Sequence, residues 1–168
     1  MSRAWCLVAV MVLAGCGSGG SRTGGSIGTS SAVECAPFAR QVSGIQLYGD
    51  AAAWWDQADG RYDRGPDPVE GGVLVFRRSS RLPSGHVSVV ARLVSSREIH
   101  VTQANWVHHR ITRDEAVVDV SPDNDWSRVR VWWEPSNTLG STVYSTYGFI
   151  VPDRPRTRSD LVAGLQDR

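Results

Sequence analysis

Short β-rich segments follow one another through the second half of the chain, and they constrain its fold more than any other feature. Each segment combines apolar and β-branched residues, and each is bounded by Gly, Pro, Asn, Asp or Ser. This pattern is typical of strands joined by turns. The segments predict strands at residues 72–76, 86–94, 98–103, 116–120, 129–133 and 147–151.

Two helical segments precede these strands. Proline is tolerated only in the first turn of a helix, so Pro37 predicts a helix that begins near residues 34–35, and Gly44 predicts its end. Asp50 is a candidate N-cap for a second helix over residues 51–58. Helices first and strands after them predict an α+β fold, in which N-terminal helices pack on an antiparallel β-sheet.

Residues 1–16 have the pattern of an export signal. Arg3 supplies a positive charge, and the apolar run at residues 4–14 is too short to span a bilayer as a helix. The tetrapeptide LAGC at its end resembles the lipobox of bacterial lipoproteins. That resemblance implies that Cys16 is lipidated and becomes the first residue of the mature chain. The alternative is an ordinary signal peptide with a chance cysteine.

The rest of the chain divides by composition into three parts. Residues 17–31 form a Gly/Ser-rich tether that should be disordered, residues 32–153 form one domain, and residues 154–168 form a charged C-terminal tail. The formal net charge of +1, from 18 basic and 17 acidic residues, argues against a nucleic-acid partner. We expect a monomer.

These features predict a location in the bacterial cell envelope. The lipid would anchor the protein to a membrane, with the domain facing the periplasm or the exterior. The residue after Cys16 is Gly17, which is not an acidic retention signal. In a bacterium with two membranes, this favours the outer membrane.

Cysteine usage directs attention to one thiol. Cys6 leaves with the signal and Cys16 would carry lipid, so Cys35 has no intramolecular partner in an oxidising compartment. A thiol at a helix N-terminus can be stabilised as thiolate, and we therefore expect a depressed pKa for Cys35. The alternative is an inert thiol buried in the core.

A histidine would have to approach this thiol from elsewhere in the chain. His86 is the best candidate base, because it opens a strand and follows the small residue Gly85. Alternation places Gln103 and Asn105 on one face of the next strand, and both can point toward His86 if that strand pairs with the His86 strand as a hairpin. A zinc site is not expected, since His86 and His100 lack a convincing set of further ligands.

Six blocks occur in order between residues 34 and 151, and they read ECAPFARQVSGI, GDAAAWWDQADGRYDRG, GGVLVF, GHVSVV, REIHVTQANW and DNDWSRVRVWW. Together they resemble a CHAP domain, the cysteine, histidine-dependent amidohydrolase/peptidase. The resemblance implies a papain-like α+β fold with the nucleophile on a helix packed against an antiparallel sheet. It also implies cleavage of amide bonds in peptidoglycan.

By this resemblance Cys35 is the nucleophile and His86 the base. In CHAP domains the segment that includes Gln103 and Asn105 supplies the third group, whose first position is often Glu or His. Gln103 is neutral, so the group that orients His86 stays open between these two amides. The backbone N–H of Cys35 is one oxyanion donor, and Tyr48 is a candidate for the second.

The sequence therefore predicts a lipid-anchored cell-envelope cysteine hydrolase that cleaves peptidoglycan amide bonds, as a muramoyl-alanine amidase or a peptide endopeptidase. Its substrates would be peptidoglycan peptides, and it would need neither a metal nor a cofactor. The neutral Gln103 favours an alternative, a CHAP-fold envelope protein that binds cell-wall peptides and cleaves them weakly or not at all. A third interpretation is an amidase that acts on small peptide-like metabolites.

Overall fold

β-Strands make up most of the regular structure in a computed structural model of the protein, which describes residues 33–153. Strands hold 40% and helices 16% of this part of the chain. The strands are β1 (Asp63–Gly65), β2 (Val73–Phe76), β3 (His86–Ser95), β4 (Glu98–Ala104), β5 (Ile111–Asp119), β6 (Arg128–Trp133), β7 (Thr138–Leu139) and β8 (Tyr144–Val151).

Six of these strands form a closed antiparallel barrel. Strands β2 to β6 are neighbours in chain order, and β8 lies between β2 and β6. The closing contact places Arg128 opposite Ser145 and Val129 opposite Tyr144. Strand β1 pairs with β8 outside the ring, and β7 extends the barrel beside β6.

The predicted α+β fold, with helices packed on an antiparallel sheet, is wrong. The described residues are mostly β and form a closed barrel of six strands with two short α-helices. The prediction began the last strand at residue 147, but residues 144–145 make the contact with β6 that closes the sheet. The pattern within a segment shows that a strand exists, but it does not show which distant strand becomes its partner.

The first predicted helix is confirmed. Helix α1 spans Cys35–Ser43, and Pro37 lies in its first turn. Gly44 ends the helix in a left-handed conformation, and its N–H donates to the carbonyl oxygen of Arg40 at 2.9 Å. The buried face of α1 packs against the outside of the barrel, in a cluster that includes Val87 and Val89 of β3.

The second predicted helix is shorter than expected. A 3-10 turn at Ala51–Ala53 leads into helix α2 (Trp54–Gln57), whereas the sequence predicted one helix over residues 51–58. Asp50 makes no capping hydrogen bond, because its carboxylate accepts a hydrogen bond from Arg78 at 2.6 Å. Strand β1 lies in the Gly-, Pro- and Asp-rich segment that follows α2.

Side chains of the barrel strands alternate between two cores. The outer core includes the helices, and the inner core fills the barrel. On β2, Val73 and Val75 face the outer core with the helices, while Leu74 and Phe76 face the inner core. Leu74 pairs with Ser88 of β3, and Phe76 pairs with His86. Since paired residues share a face, these two polar side chains point into an otherwise apolar barrel interior.

Three predicted segments lie outside the described residues. They are the signal peptide at residues 1–16 with Cys16, the tether at residues 17–31, and the tail at residues 154–168. Between residues 33 and 153 no helix has the length and apolar character needed to cross a membrane.

The turn that leads into β3 depends on Gly85. Its φ of +74° lies in the left-handed region that favours glycine. A Cβ at this position would lie 2.6 Å from the Cβ of Ala52, 2.7 Å from its nitrogen and 2.8 Å from the Phe76 carbonyl oxygen. The Ala52 N–H donates to the Ser84 carbonyl at 3.0 Å, so this close approach joins the turn to the 3-10 segment.

Replacement of Gly85 should therefore be costly. We expect Gly85→Ala to lower the free energy of unfolding by roughly 2–5 kcal/mol, the sum of left-handed backbone strain and overpacking. Gly60→Ala is the matched control, because Gly60 has a φ of +67° but no atom within 4 Å of its hypothetical Cβ. It should lose only about 1–2 kcal/mol. Urea denaturation measures both, and equal losses would contradict the packing role of Gly85.

Candidate active site

Cys35 is the first residue of α1 and the free cysteine of the described residues. Its side chain is partly buried against the outer core. The helix begins without a side-chain cap, since Glu34 makes no capping hydrogen bond. The thiol therefore lies where the chain enters α1, at the edge of an open cleft.

This cleft, of about 510 Å³, brings together residues from distant parts of the sequence. The beginning of α1, the segment before the 3-10 turn, the turn before β3 and the end of β4 form its walls. Cys35, His86 and Asn105, three of the predicted site residues, line it. The remaining lining residues are Glu34, Ala36, Pro37, Gly49, Asp50, Ala51, Arg81, Leu82, Pro83, Ser84 and Gly85.

Burial raises the pKa of the Cys35 thiol above its ordinary value. Hydrogen bonding with the backbone of Val87 acts in the opposite direction, and the negative charge of Glu34 raises the pKa further. The expectation of a depressed pKa is wrong, because the loss of water outweighs the helix N-terminus. The resting side chain is a neutral thiol.

His86 begins β3 at one end of the barrel and is only 4% exposed. Its ring centroid lies 5.5 Å from that of Phe76 and 5.0 Å from that of Trp106. Desolvation in this aromatic setting lowers the pKa of His86 to about 4, although the hydrogen bond with Gln103 raises it. The imidazole is therefore neutral at physiological pH.

Gln103 holds this neutral imidazole in one tautomer. Its side-chain oxygen Oε1 lies 3.0 Å from His86 Nε2. A carbonyl oxygen can only accept, so Nε2 carries the proton and Nδ1 keeps a lone pair. An imidazole in this state can take a proton at Nδ1, which is the state that a general base requires.

A buried polar chain continues behind Gln103. Ser88 donates its hydroxyl to Gln103 Oε1 at 2.6 Å, and Gln103 Nε2 donates to Glu115 Oε2 at 2.8 Å. The Thr112 hydroxyl donates to the same carboxylate oxygen at 2.7 Å. Sequence reasoning missed Ser88, Thr112 and Glu115. The available signal was the alternation along β5, which puts Glu115 on the same buried face as Val117.

Asn105 has other partners. Its Nδ2 donates to Glu34 Oε2 at 3.1 Å, and its Oδ1 accepts the His109 N–H at 3.0 Å. Asn105 follows β4 with a left-handed φ of +61°, which redirects the chain at the end of the strand. Of the two amides that the sequence left open, Gln103 is the one that contacts the His86 ring nitrogen.

The structure does not bring Tyr48 to the cleft. Its side chain is 59% exposed, and its hydroxyl donates to Gln46 Oε1 at 3.2 Å. The Arg40 guanidinium lies 4.6 Å from the centroid of its ring. These contacts give Tyr48 a position on the surface outside the cleft lining, so the structure offers no support for it as an oxyanion donor.

The other histidines occupy different surroundings. His100 is bonded to Asp114 at 2.9 Å and to Glu98 at 3.2 Å on the far side of β4, while His108 and His109 are exposed. Across residues 33–153, no group of three or more His, Cys, Asp or Glu side chains is arranged to hold a metal ion.

The burial of neutral His86 predicts a pH-dependent stability. The unfolded chain takes up a proton near pH 6.5, whereas the folded protein does so only near pH 4. Stability from this residue is thus fully present above pH 6.5 and lost as the pH falls toward 4, by roughly 3 kcal/mol.

Urea denaturation at pH 7 and pH 4.5 should show this loss in the wild type. His86→Gln removes the titrating group and should remove most of the difference between the two pH values. The control His108→Gln replaces an exposed histidine and should retain the wild-type difference. An unchanged pH dependence in His86→Gln would show that His86 is not buried in its neutral form.

Comparison with known proteins gives one family. A search of curated protein sequences found no match to the chain. A family model described as the CHAP domain matches residues 25–105, a range that contains Cys35, His86, Gln103 and Asn105. The match supports the presence of a CHAP domain in this chain, a domain family of cell-wall amidase or peptidase-type hydrolases.

Proposed function

We propose that the protein is a cell-envelope cysteine hydrolase that cleaves amide bonds of peptidoglycan. The observation that carries the proposal is the shared cleft of Cys35 and His86, together with the Gln103 hydrogen bond that leaves His86 Nδ1 free to act as a base. The CHAP family match supports this class of reaction and a cell-wall substrate.

The reaction would proceed by two acyl transfers. The Cys35 sulfur attacks the amide carbonyl while its proton passes to His86 Nδ1, and the backbone N–H of Cys35 donates to the oxyanion. The imidazolium then gives this proton to the departing amine as the C–N bond breaks. Water, deprotonated by the same nitrogen, hydrolyses the thioester and restores the thiol.

The electrostatics of the cleft favour a neutral starting pair. Burial raises the pKa of Cys35 and lowers that of His86, so thiol and imidazole are both uncharged before attack. Proton transfer must therefore accompany the formation of the carbon–sulfur bond, and charge develops on His86 only then. In such a mechanism, the rate of attack depends strongly on groups that stabilise this transient imidazolium.

The substrate bond would be an amide of the stem peptide, cut as by a muramoyl-alanine amidase or a peptide endopeptidase. The cleft is open to solvent and carries both signs of charge, from Glu34, Asp50 and Arg81. A peptide with free carboxylate and amino groups is compatible with such a lining. Mass spectrometry of muropeptides after incubation with the full chain would identify the bond.

Cleavage should depend on the thiol and the imidazole. We expect Cys35→Ala and His86→Ala each to lower muropeptide turnover by at least about a thousandfold, as removal of a nucleophile or its base does elsewhere. His108→Ala changes an exposed histidine outside the cleft and should retain wild-type turnover. Full activity of Cys35→Ala would exclude the proposed chemistry.

A binding protein is the second candidate. The raised pKa of Cys35 and the neutral Gln103 favour it, because both weaken attack by the thiol. In that case wild type and Cys35→Ala would bind muropeptides equally, and neither would release a product. The same samples therefore distinguish the hydrolase from the binding module.

We also propose that Cys16 anchors the protein to a membrane by a lipid, which places the domain in the cell envelope and, in a two-membrane bacterium, at the outer membrane. The support is the sequence LAGC after a short apolar run, followed by Gly17. The tether at residues 17–31 would let the domain reach peptidoglycan close to the membrane.

Detergent partitioning tests the anchor. Wild-type protein should enter the detergent phase, and Cys16→Ala should stay in the aqueous phase or keep an uncleaved signal. Cys6→Ala is the matched control, because Cys6 lies inside the predicted signal and should not affect lipidation. A wild-type protein that is cleaved but aqueous would remove the anchor and leave only export.

A further inference from the structure

The buried polar chain behind His86 ends in the carboxylate of Glu115. Glu115 is 4% exposed and lies on β5, opposite Val101. Its Oε2 accepts hydrogen bonds from Gln103 at 2.8 Å and from Thr112 at 2.7 Å. Its Oε1 is buried and has no hydrogen-bond partner within residues 33–153.

This carboxylate sets which group donates and which accepts in each hydrogen bond from Glu115 through Gln103 to His86. A carboxylate accepts hydrogen bonds, so the group that Gln103 turns toward it must be its NH₂. The Gln103 oxygen must then face His86, and the ring nitrogen opposite that oxygen must carry the proton. Glu115 thereby determines which nitrogen of His86 is free, although it contacts Gln103 and not His86 itself.

The other members of the chain cannot impose this direction. The Ser88 hydroxyl can donate or accept, so it would adapt to a flipped Gln103 amide, and the Thr112 hydroxyl contacts Glu115 and not Gln103. The amide itself would fit its site in either orientation if the group behind it were neutral. Glu115 differs from these groups because the oxygens of a carboxylate only accept hydrogen bonds.

Glu115 lies in apolar surroundings. No ion pair of the described residues includes Glu115, and its neighbours Val101 and Val117 belong to the apolar inner core. Coulomb interactions in a desolvated interior are stronger than in water. A negative charge one amide away would therefore favour the imidazolium that forms on His86 during attack.

We propose that Glu115 is a positioning residue that fixes the amide orientation of Gln103 and, through it, the Nε2–H tautomer of His86. Its effect on turnover rests on the proposed hydrolase function, whereas its effect on the tautomer does not. Glu115 lies beyond residues 25–105, so the CHAP family match does not include it.

The first test replaces Glu115 by its neutral isostere. In Glu115→Gln, the new amide can present either an oxygen or an NH₂ group to Gln103, so the direction of the chain is lost. We expect ¹⁵N NMR at pH 7 to show a mixture of His86 tautomers in place of the Nε2–H form. Muropeptide turnover should fall by about 10- to 100-fold, with little change in KM, as for outer partners of other functional histidines.

The second test restores the direction by moving the carboxylate one position. In the double variant Gln103→Glu with Glu115→Gln, a carboxylate faces His86 and an amide lies behind it, with the same net charge as wild type. We expect the Nε2–H tautomer to return and turnover to recover. Gln103→Glu alone would place two carboxylates where the present contact is 2.8 Å, and it should lose stability.

Glu98→Gln is the control, because it makes the same chemical change on β4 in a side chain bonded to His100. It should preserve both the tautomer and the turnover. A pure Nε2–H tautomer in Glu115→Gln would overturn the proposal, and if that variant does not fold, an Nδ1–H tautomer in the folded double variant would also overturn it. A tautomer change in Glu115→Gln without cleavage by wild type would support the positioning role and reject the hydrolase.

Discussion

The pairing of β6 with β8 turns a row of strands into a barrel, and the candidate site depends on that closure. Two registered residue pairs join the strands at this seam. Closure encloses an apolar interior in which Phe76, Trp126 and Phe149 are buried. At one end of the barrel β2 stops, β3 begins, β4 stops and β5 begins, because these strands run antiparallel. The polar chain from His86 to Glu115 occupies that end.

Burial accounts for most of the unusual chemistry at this end. A polar group inside a barrel is costly unless it is hydrogen-bonded, and the members of the chain meet that requirement largely through one another. The same burial keeps His86 and Cys35 uncharged at rest. The barrel thus provides a base that is oriented but weak, and a nucleophile that must be activated during the reaction.

Two different surfaces of the barrel contribute to the cleft. Helix α1 packs on the outside of β3 and delivers Cys35, while His86 projects from the inner face of the same strand. Both residues line the cleft, where Gly85 permits the close approach of the 3-10 segment. The CHAP family match and this arrangement together support the proposed hydrolase.

The sequence by itself determined the positions of most strands and the start and end of α1, and it supplied Cys35, His86 and Gln103 as candidates, because these depend on local patterns and on motifs that resemble one family. Only the tertiary structure decided that the sheet closes, since the β6–β8 contact joins segments whose patterns carry no information about their partner. It also decided the sign of the Cys35 pKa shift, which follows from burial, and it separated Gln103 from Asn105 and Tyr48. Glu115 emerged only in three dimensions, because its role rests on a hydrogen bond between two strands.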